Sequence, residues 1–364
     1  MNFEAEREAL LVGCATASRA VSVRALRPAL ASLHLEAGPG GLTVSATDLE
    51  TTISAKVAAT INQPGVAAVP ARQLLELLRR CGKGPVQVCS GEGTGTNVAW
   101  LRSKFELRGF DPAEFPELGW PSKWVPAPGL RDAAARCVFA AATGENARAL
   151  LTGVHLSKEG ALATDGFQVA HSATALQLDG VTVPASALGT LGQIAPDGDV
   201  EVALEGNRIC FLAGDTRLGS RVLEGKYFAV LELIPKSVAM TVTLERRALL
   251  GALGRVLTVV EHEPPYALIL TPQGSSVVIS ARSEAGEAHE EVAATLALSK
   301  QGAKPFPFGV NGRQLSEGLR ALRGATLTCK AAGETLLTSW DDGSDFRYHQ
   351  MPLQLSEGAL AKSA

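Results

Sequence analysis

The stretch LTVSATDLETTIS (residues 42–54) raises the question that decides the fold, because its tripeptide Ala-Thr-Asp returns in LATDGFQVA (162–170). Each copy has alternating apolar residues on both sides. Two readings compete: a pair of carboxylates, Asp48 and Asp165, built for chemistry, or one structural unit copied along the chain. Ala46 and Ala163 are 117 residues apart, and a further 118 residues lands on Ala281 in VVISARSEAG (277–286). There, alternation again precedes the alanine, and Ser283-Glu284 follow two positions on. A period of this size is that of a domain, far above the 20–50 residues of a solenoid repeat.

Other landmarks keep step. VAAVPARQLLELLRR (66–80), VTVPASALGTLGQI (181–194) and FPFGVNGRQLSEGLRAL (306–322) each read as a strand followed by a helix, entered at Pro70, Pro184 and Asn311. Proline in a first turn and asparagine at an N-cap are alternative ways to begin a helix. Upstream of each copy lies an apolar pattern spaced by three and four, as an amphipathic helix requires. These stretches are 4–21, 129–146 and 245–262. Between the helices, segments such as 206–225 alternate with period two and break at Gly, Asp and Asn, the mark of antiparallel meanders. The expectation is an α+β protein of three similar domains, each with two helices packed on antiparallel sheets, at 1–122, 127–236 and 239–355, with a flexible tail at 356–364.

Composition narrows the class. With 46% hydrophobic and 20% charged residues, the chain reads as a folded soluble protein, and with aromatics at 5% its cores are expected to rest on Leu, Val, Ile and Ala. The start, MNFEAEREALL, has acids where a secretory signal needs bases. No apolar run approaches the ~20 residues of a membrane span. Six scattered cysteines without CxxC fit a reducing cytoplasm better than a disulfide framework or zinc site. A net charge of −3 argues against gripping nucleic acid through many phosphate contacts, but leaves room for a basic face on an acidic protein.

Candidate chemistry is thin. GEGTGT (91–96) resembles a phosphate loop, yet a strand-like pattern follows it where a helix is needed, so a hairpin turn is expected. Glu261-His262-Glu263 lacks a metal-ligand spacing. No GxSxG elbow and no Cys with a nearby base occurs. Asp48 and Asp165 read as turn anchors, since repeat-equivalent residues sit in separate domains. Helix-borne arginines recur in the repeats, Arg136 and Arg255 among them, whereas acids crowd EAGEAHEE (284–291). As a set they suit a basic inner surface within an acidic protein.

With the repeats in hand, the chain resembles the bacterial DNA polymerase III β subunits, the replicative sliding clamps. The resemblance runs to Leu355 and rests on NFEAEREALL, SATDLETTISAKV, VPARQLLELLR, FELRGFDPAEFPEL (105–118), LATDGFQVA and YHQMPLQL (348–355). It is strongest in the first domain. It implies a non-catalytic processivity subunit without cofactor or metal, cytoplasmic and nucleoid-associated, that forms a head-to-tail homodimer: a six-domain ring around double-stranded DNA, held by topology and not by sequence. Arg24, Arg72, Arg79, Arg148, Arg246 and Arg313 are expected to face the DNA. Ring closure is expected to join Arg102, Lys104, Phe105 and Leu107 to Val259, Val260, Glu287 and Glu290 of the other copy.

The family also docks short linear motifs in a groove, which implies as partners the polymerase alpha subunit, the clamp loader, repair polymerases, mismatch repair proteins and ligase. By alignment the groove comprises Leu151, Thr164, Gly166, Phe167, Gln168, Val169, Phe228, Leu233, Met351, Pro352 and Leu353. This chain departs from the family at the rim: Phe167 and Gln168 replace a usual histidine and arginine, Phe228 a proline, and Glu232 an arginine often found there. Two cations lost and an anion gained imply weaker selection for acidic residues in the bound motif. Two alternatives stay open: a specialised plasmid or phage clamp with its own partners, and an α+β enzyme using Asp48 or Asp165.

Overall fold

The structure is a computed structural model, and it describes all residues except 23–26, 92, 145, 196–197, 301–302, 334–335 and 355–364. Arg24 and the tail 356–364 therefore lie outside the described residues. The described chain is α+β, with six α-helices: α1 (Arg7–Ala17), α2 (Ala71–Arg80), α3 (Leu130–Cys137), α4 (Ala185–Ile194), α5 (Arg246–Leu257) and α6 (Gly312–Ala321). The strand pairs are antiparallel throughout the three sheets.

The chain divides into two compact units, Met1–Arg131 with Ser186–Val222, and Asp132–Ala185 with Leu223–Ala364. The stretch 127–236 thus contributes to both. Sheet continuity explains this. In the first unit, strand Thr216–Arg221 pairs with Thr51–Val57 inside an eight-stranded sheet. In the second, strand Gln168–Ser172 pairs with Phe346–Gln350 inside a twelve-stranded sheet.

The first unit also holds a five-stranded sheet in the order Thr60–Gln63, Asn2–Glu6, Pro85–Ser90, Gly95–Trp100, Ser103–Arg108. Its second strand departs from the sequence expectation, which put residues 4–6 in a helix. Asn2–Glu6 gains ladder partners on both sides and sinks Phe3 completely, and its period-two alternation, Phe3 and Ala5 inward with Glu4 and Glu6 outward, is that of a strand. Strands Pro85–Ser90 and Gly95–Trp100 form the hairpin expected around GEGTGT, with Ser90 opposite Thr96 and Cys89 opposite Asn97, while Glu92 lies outside the described residues. Ser103–Arg108 forms the sheet's edge, so one row of its backbone groups has no strand partner among the described residues.

In the second unit, strand Gly286–Leu298 changes partner midway. Residues 286–293 pair with Ser276–Ser283, and 294–298 pair with Met240–Glu245. The first half therefore keeps one open edge among the described residues. α5 and α6 pack on each other. Both are capped by side chains: Glu245 accepts from the backbone N–H groups of Arg247 and Ala248, and Asn311 from those of Arg313 and Gln314. Pro70 and Pro184 end strands, and the helices start one residue later. α3 stops at Cys137, far short of residue 146, and passes into a short 3-10 turn at Val138–Ala140. Gly318 lies within α6 because a Cβ there would come 2.4 Å from the Tyr348 ring. Most buried side chains are Leu, Val, Ile and Ala, as composition suggested, and the scarce aromatics Trp340, Tyr348, Phe308 and Phe346 are among the largest fully buried ones.

The repeat is visible in hydrogen bonds. Thr47 Oγ1 donates to Thr51 O and accepts from Leu49 N–H; Thr164 Oγ1 donates to Gln168 O and accepts from Gly166 N–H. Asp48 Oδ1 accepts from Glu50 and Thr51 N–H, and Asp165 Oδ1 from Phe167 and Gln168 N–H. In the third copy, Ser283 Oγ accepts from Ala285 N–H, so Ser283 takes the threonine's place. This is one residue later than alignment on Ala281 suggests. Both aspartates are engaged in closing their own turns.

Candidate ligand-binding groove

Within the second unit, the turn after strand Gly160–Thr164 opens onto a cavity of about 670 Å³. Thr164, Gly166, Phe167 and Val169 form one wall. Leu151, from the 3-10 turn Ala149–Thr152, and Phe228 and Leu233, from the segment ending in the 3-10 turn Val230–Leu233, form others, with Met351 beside them. Phe167 is 68% and Leu233 76% exposed, and Phe228 and Met351 are also among the exposed large apolar side chains. Exposed apolar groups gathered on one concavity mark a binding site more than a core edge. Met351 N–H donates to Phe167 O at 2.7 Å, tying the segment after strand Phe346–Gln350 to the turn.

Three expected groove residues are absent from the lining. Gln168 is 3% exposed: its Nε2 donates to Asp165 Oδ2 at 3.0 Å, and its Oε1 accepts from Tyr348 O–H at 3.0 Å. Gln168 opens strand Gln168–Ser172, so its side chain points away from that of Val169, which lines the cavity, and here that opposite face is core. Pro352 and Leu353 also lie outside the lining, and Leu353 N–H donates to Gly309 O. The cavity adds Ala229, Val230, Glu232, Pro235, Leu336, Leu337 and Arg148. Arg148, expected on the DNA side, is exposed and lines this cavity. It offsets part of the positive charge that the rim departures remove. Local sequence carries no signal for Leu336 or Leu337, which lead into strand Thr338–Asp341.

A second cavity, of about 210 Å³, adjoins this segment and is lined by His155, Glu159, His171 and Tyr227 together with Phe228–Glu232. The His155 ring stacks on Tyr227 with centroids 4.9 Å apart. Burial pushes the His155 pKa down, opposed by the Glu159 charge, so the imidazole is neutral at pH 7. Burial raises the Tyr227 phenol pKa well above its usual value.

The arginines divide by their partners. Arg72 and Arg79 are exposed on α2, Arg72 forming an i,i+4 pair with Glu76. Arg246 Nε donates to Gly324 O at 3.0 Å, and Arg313 lies 3.9 Å over the Tyr266 ring while donating to Glu261 O. Arg136, one of the helix arginines read as surface charge, is instead buried beside Asp345.

Arg102, Lys104 and Phe105 are exposed on or beside the edge strand Ser103–Arg108, with Leu107 half-buried. Val259 is half-buried, but Val260 is 2% exposed. Its side chain belongs to the core of its own unit, which corrects its assignment as a contact residue. Glu287 pairs with Arg282 at 3.1 Å, and Arg255 grips Glu290 with two bonds of 2.6 and 3.0 Å. That contact holds the Glu290 carboxyl below the usual range. The acidic stretch is therefore partly neutralised within the chain.

Comparison with known proteins decides the family. Residues 1–119 match the DNA polymerase III beta subunit N-terminal domain, and residues 125–228 match its central domain, together more than half the chain. The chain belongs to the DNA polymerase III beta subunits, the sliding clamps. Among curated clamps, that of Synechococcus elongatus is 28% identical over 362 residues, covering 93% of this chain and 95% of the relative. The Synechocystis clamp is 29% identical over 348 residues, covering 85% and 88%. The Caulobacter crescentus clamp structure aligns with a TM-score of 0.88 at 26% identity, over 98% of this chain and 99% of that one. The Bacillus subtilis clamp shares the fold, with a TM-score of 0.89 at 22% identity over 98% and 100%. As a clamp, the protein is a non-catalytic DNA-sliding subunit of a replicative polymerase, and Asp48 and Asp165 serve as turn anchors. Among the described residues no group of His, Cys, Asp and Glu is placed to hold a metal, and no helix is long and apolar enough to cross a membrane.

Proposed function

We propose that two copies of this clamp close head to tail into a ring of six domains around duplex DNA, and that the larger cavity docks short apolar motifs of the proteins the ring tethers. The observation that carries the docking reading is the gathering of Phe167, Phe228, Leu233 and Met351, all exposed, around one cavity of about 670 Å³. A concavity with several apolar anchor points suits an extended or helical peptide. The polymerase alpha subunit, the clamp loader, repair polymerases, mismatch repair proteins and ligase are the partners in this reading.

Two open strand edges support closure. Ser103–Arg108 carries Lys104, Phe105 and Arg108, preceded by Arg102, while residues 286–293 carry Glu287 and Glu291. An unpaired edge invites strand addition, and basic facing acidic sets register and partner. Arg72 and Arg79 offer exposed charge for transient phosphate contacts. A ring needs few of these, because topology holds it on DNA and weak contacts let it slide.

The test is loading onto nicked circular DNA with a clamp loader, followed by linearisation. A ring stays on the circle and runs off the linear form; retention on linear DNA contradicts it. The specialised-clamp reading is favoured by one feature, the apolar Phe167 beside an inward-turned Gln168. It predicts that motif peptides from a bacterial host's polymerase bind more weakly than those of the element's own partners.

A further inference from the structure

We propose that the groove selects partners carrying a basic residue beside the apolar anchor of their motif, and that Glu232 determines this preference; the proposal rests on the docking reading above. The two cavities share a wall. Phe228, Ala229, Val230 and Glu232 line both, so a peptide seated in the larger cavity borders the smaller one across a single stretch of chain.

The charges on that wall are one-sided. Glu232 is exposed, and its carboxylate has neither a hydrogen bond nor an ion pair among the described residues. Glu159, also exposed, lines the smaller cavity and has no ion-pair partner among them. No lysine or arginine lines that cavity, and His155 is neutral at pH 7. Nearby Lys158 is held by Asp179 at 2.5 Å. The larger cavity has Arg148, a cation that would answer an acidic residue elsewhere in the motif.

The lining also fits the stem of a basic side chain. Tyr227 and Phe228 meet edge to face with centroids 6.1 Å apart, and Leu231 lies alongside. A lysine or arginine lays its methylenes on such a surface and keeps its charge at the rim. Phe228, the exposed ring of the two, further favours a cation held above its face. Glu232 on the shared wall, with Glu159 beyond it, supplies the counter-charge. Such a half-exposed pair shifts affinity by about two- to five-fold, enough to rank competing partners on one ring.

The test is fluorescence anisotropy on the full-length protein with an apolar motif peptide. A single lysine is moved one position at a time outward from the anchor, with matched alanine and glutamate series. The expected result is one position at which lysine tightens binding about two- to five-fold over alanine and glutamate weakens it. That difference shrinks in Glu232→Gln and in 0.5 M salt, and Glu159→Gln reduces it less. Lysine, alanine and glutamate peptides binding alike at every position would overturn the proposal while leaving the groove reading intact. Failure of every peptide to bind would overturn the groove reading itself, and the proposal with it.

Discussion

Arg136 Nη1 lies 3.0 Å from Asp345 Oδ1, and the same guanidinium sits 4.4 Å above the centre of the Phe346 ring. Arg136 Nε also donates to Ala321 O, while Asp345 accepts from Thr174 and Ser172. The pair joins α3 to the turn before strand Phe346–Gln350. The Arg136 side chain is 8% exposed but that of Asp345 is 44%, so the two are not equally costly to lose. Asp345→Ala strands a buried cation and is expected to destabilise the protein by about 2–3 kcal/mol, below the ~3–5 of a fully buried pair. Urea unfolding followed by tryptophan fluorescence checks this through Trp340 in the same unit.

The same turn makes the second unit acid-sensitive. The Thr174 hydroxyl and then the Arg136 charge hold the Asp345 carboxyl below its ordinary value. Burial pushes the Asp342 carboxyl up, but hydrogen bonds from Ser344, Gly324 and Arg323 more than compensate and hold it far below. A carboxyl whose folded pKa is depressed gives its full stabilisation above its unfolded pKa and loses it as pH falls through the folded one. Stability is therefore expected to drop as pH falls below about 4. Asp342→Asn should flatten that part of the profile; an unchanged acid limb would refute the assignment.

Leu49 and Gly166 hold the same place in the repeated turn, with φ of +80° and +96°. A leucine there carries a Cβ clash that glycine avoids, worth about 1–2 kcal/mol. Leu49→Asn is expected to raise the unfolding free energy by about 0.5–1 kcal/mol, because asparagine tolerates this region. Gly166→Ala, which meets no heavy atom within 4 Å, should cost about 1 kcal/mol through φ alone. Thermal scans of the two variants should shift in opposite directions.

Asp48 accepts two backbone N–H groups at an exposed turn, at 3.0 and 2.6 Å. Asp48→Ala is expected to cost about 1–2 kcal/mol of stability. Asp165→Ala should cost more, because Asp165 Oδ2 also accepts from Gln168 and Gln314. Paired denaturation curves would show this order, and equal losses would contradict it.

Phe105 and Lys104 stand on the open edge Ser103–Arg108. Phe105→Asp is expected to shift a dimer toward monomer at micromolar concentration, read by light scattering, while the far-UV spectrum stays that of the folded chain. Lys104→Glu should weaken association less, and chiefly at low salt, as a rim charge does.

What was legible in the sequence is what neighbours along the chain decide. The Thr-Asp turns at 47–48 and 164–165, the asparagine cap at Asn311 and the hairpin at GEGTGT all close with bonds a few residues apart, so spacing and residue type sufficed to read them. The repeat of that local chemistry was enough to point to the fold. Only the tertiary structure decided where partners come from far away. Residues 2–6 became a strand because two distant strands pair with them. Gln168 turned inward because Asp165 and Tyr348 receive it, and Val260 sank into its own core. Arg148 came to the groove and Arg136 left the surface for Asp345. The sequence determines which side chains are present and the turns that carry them; the direction each one faces is set by long-range packing, which no local pattern encodes.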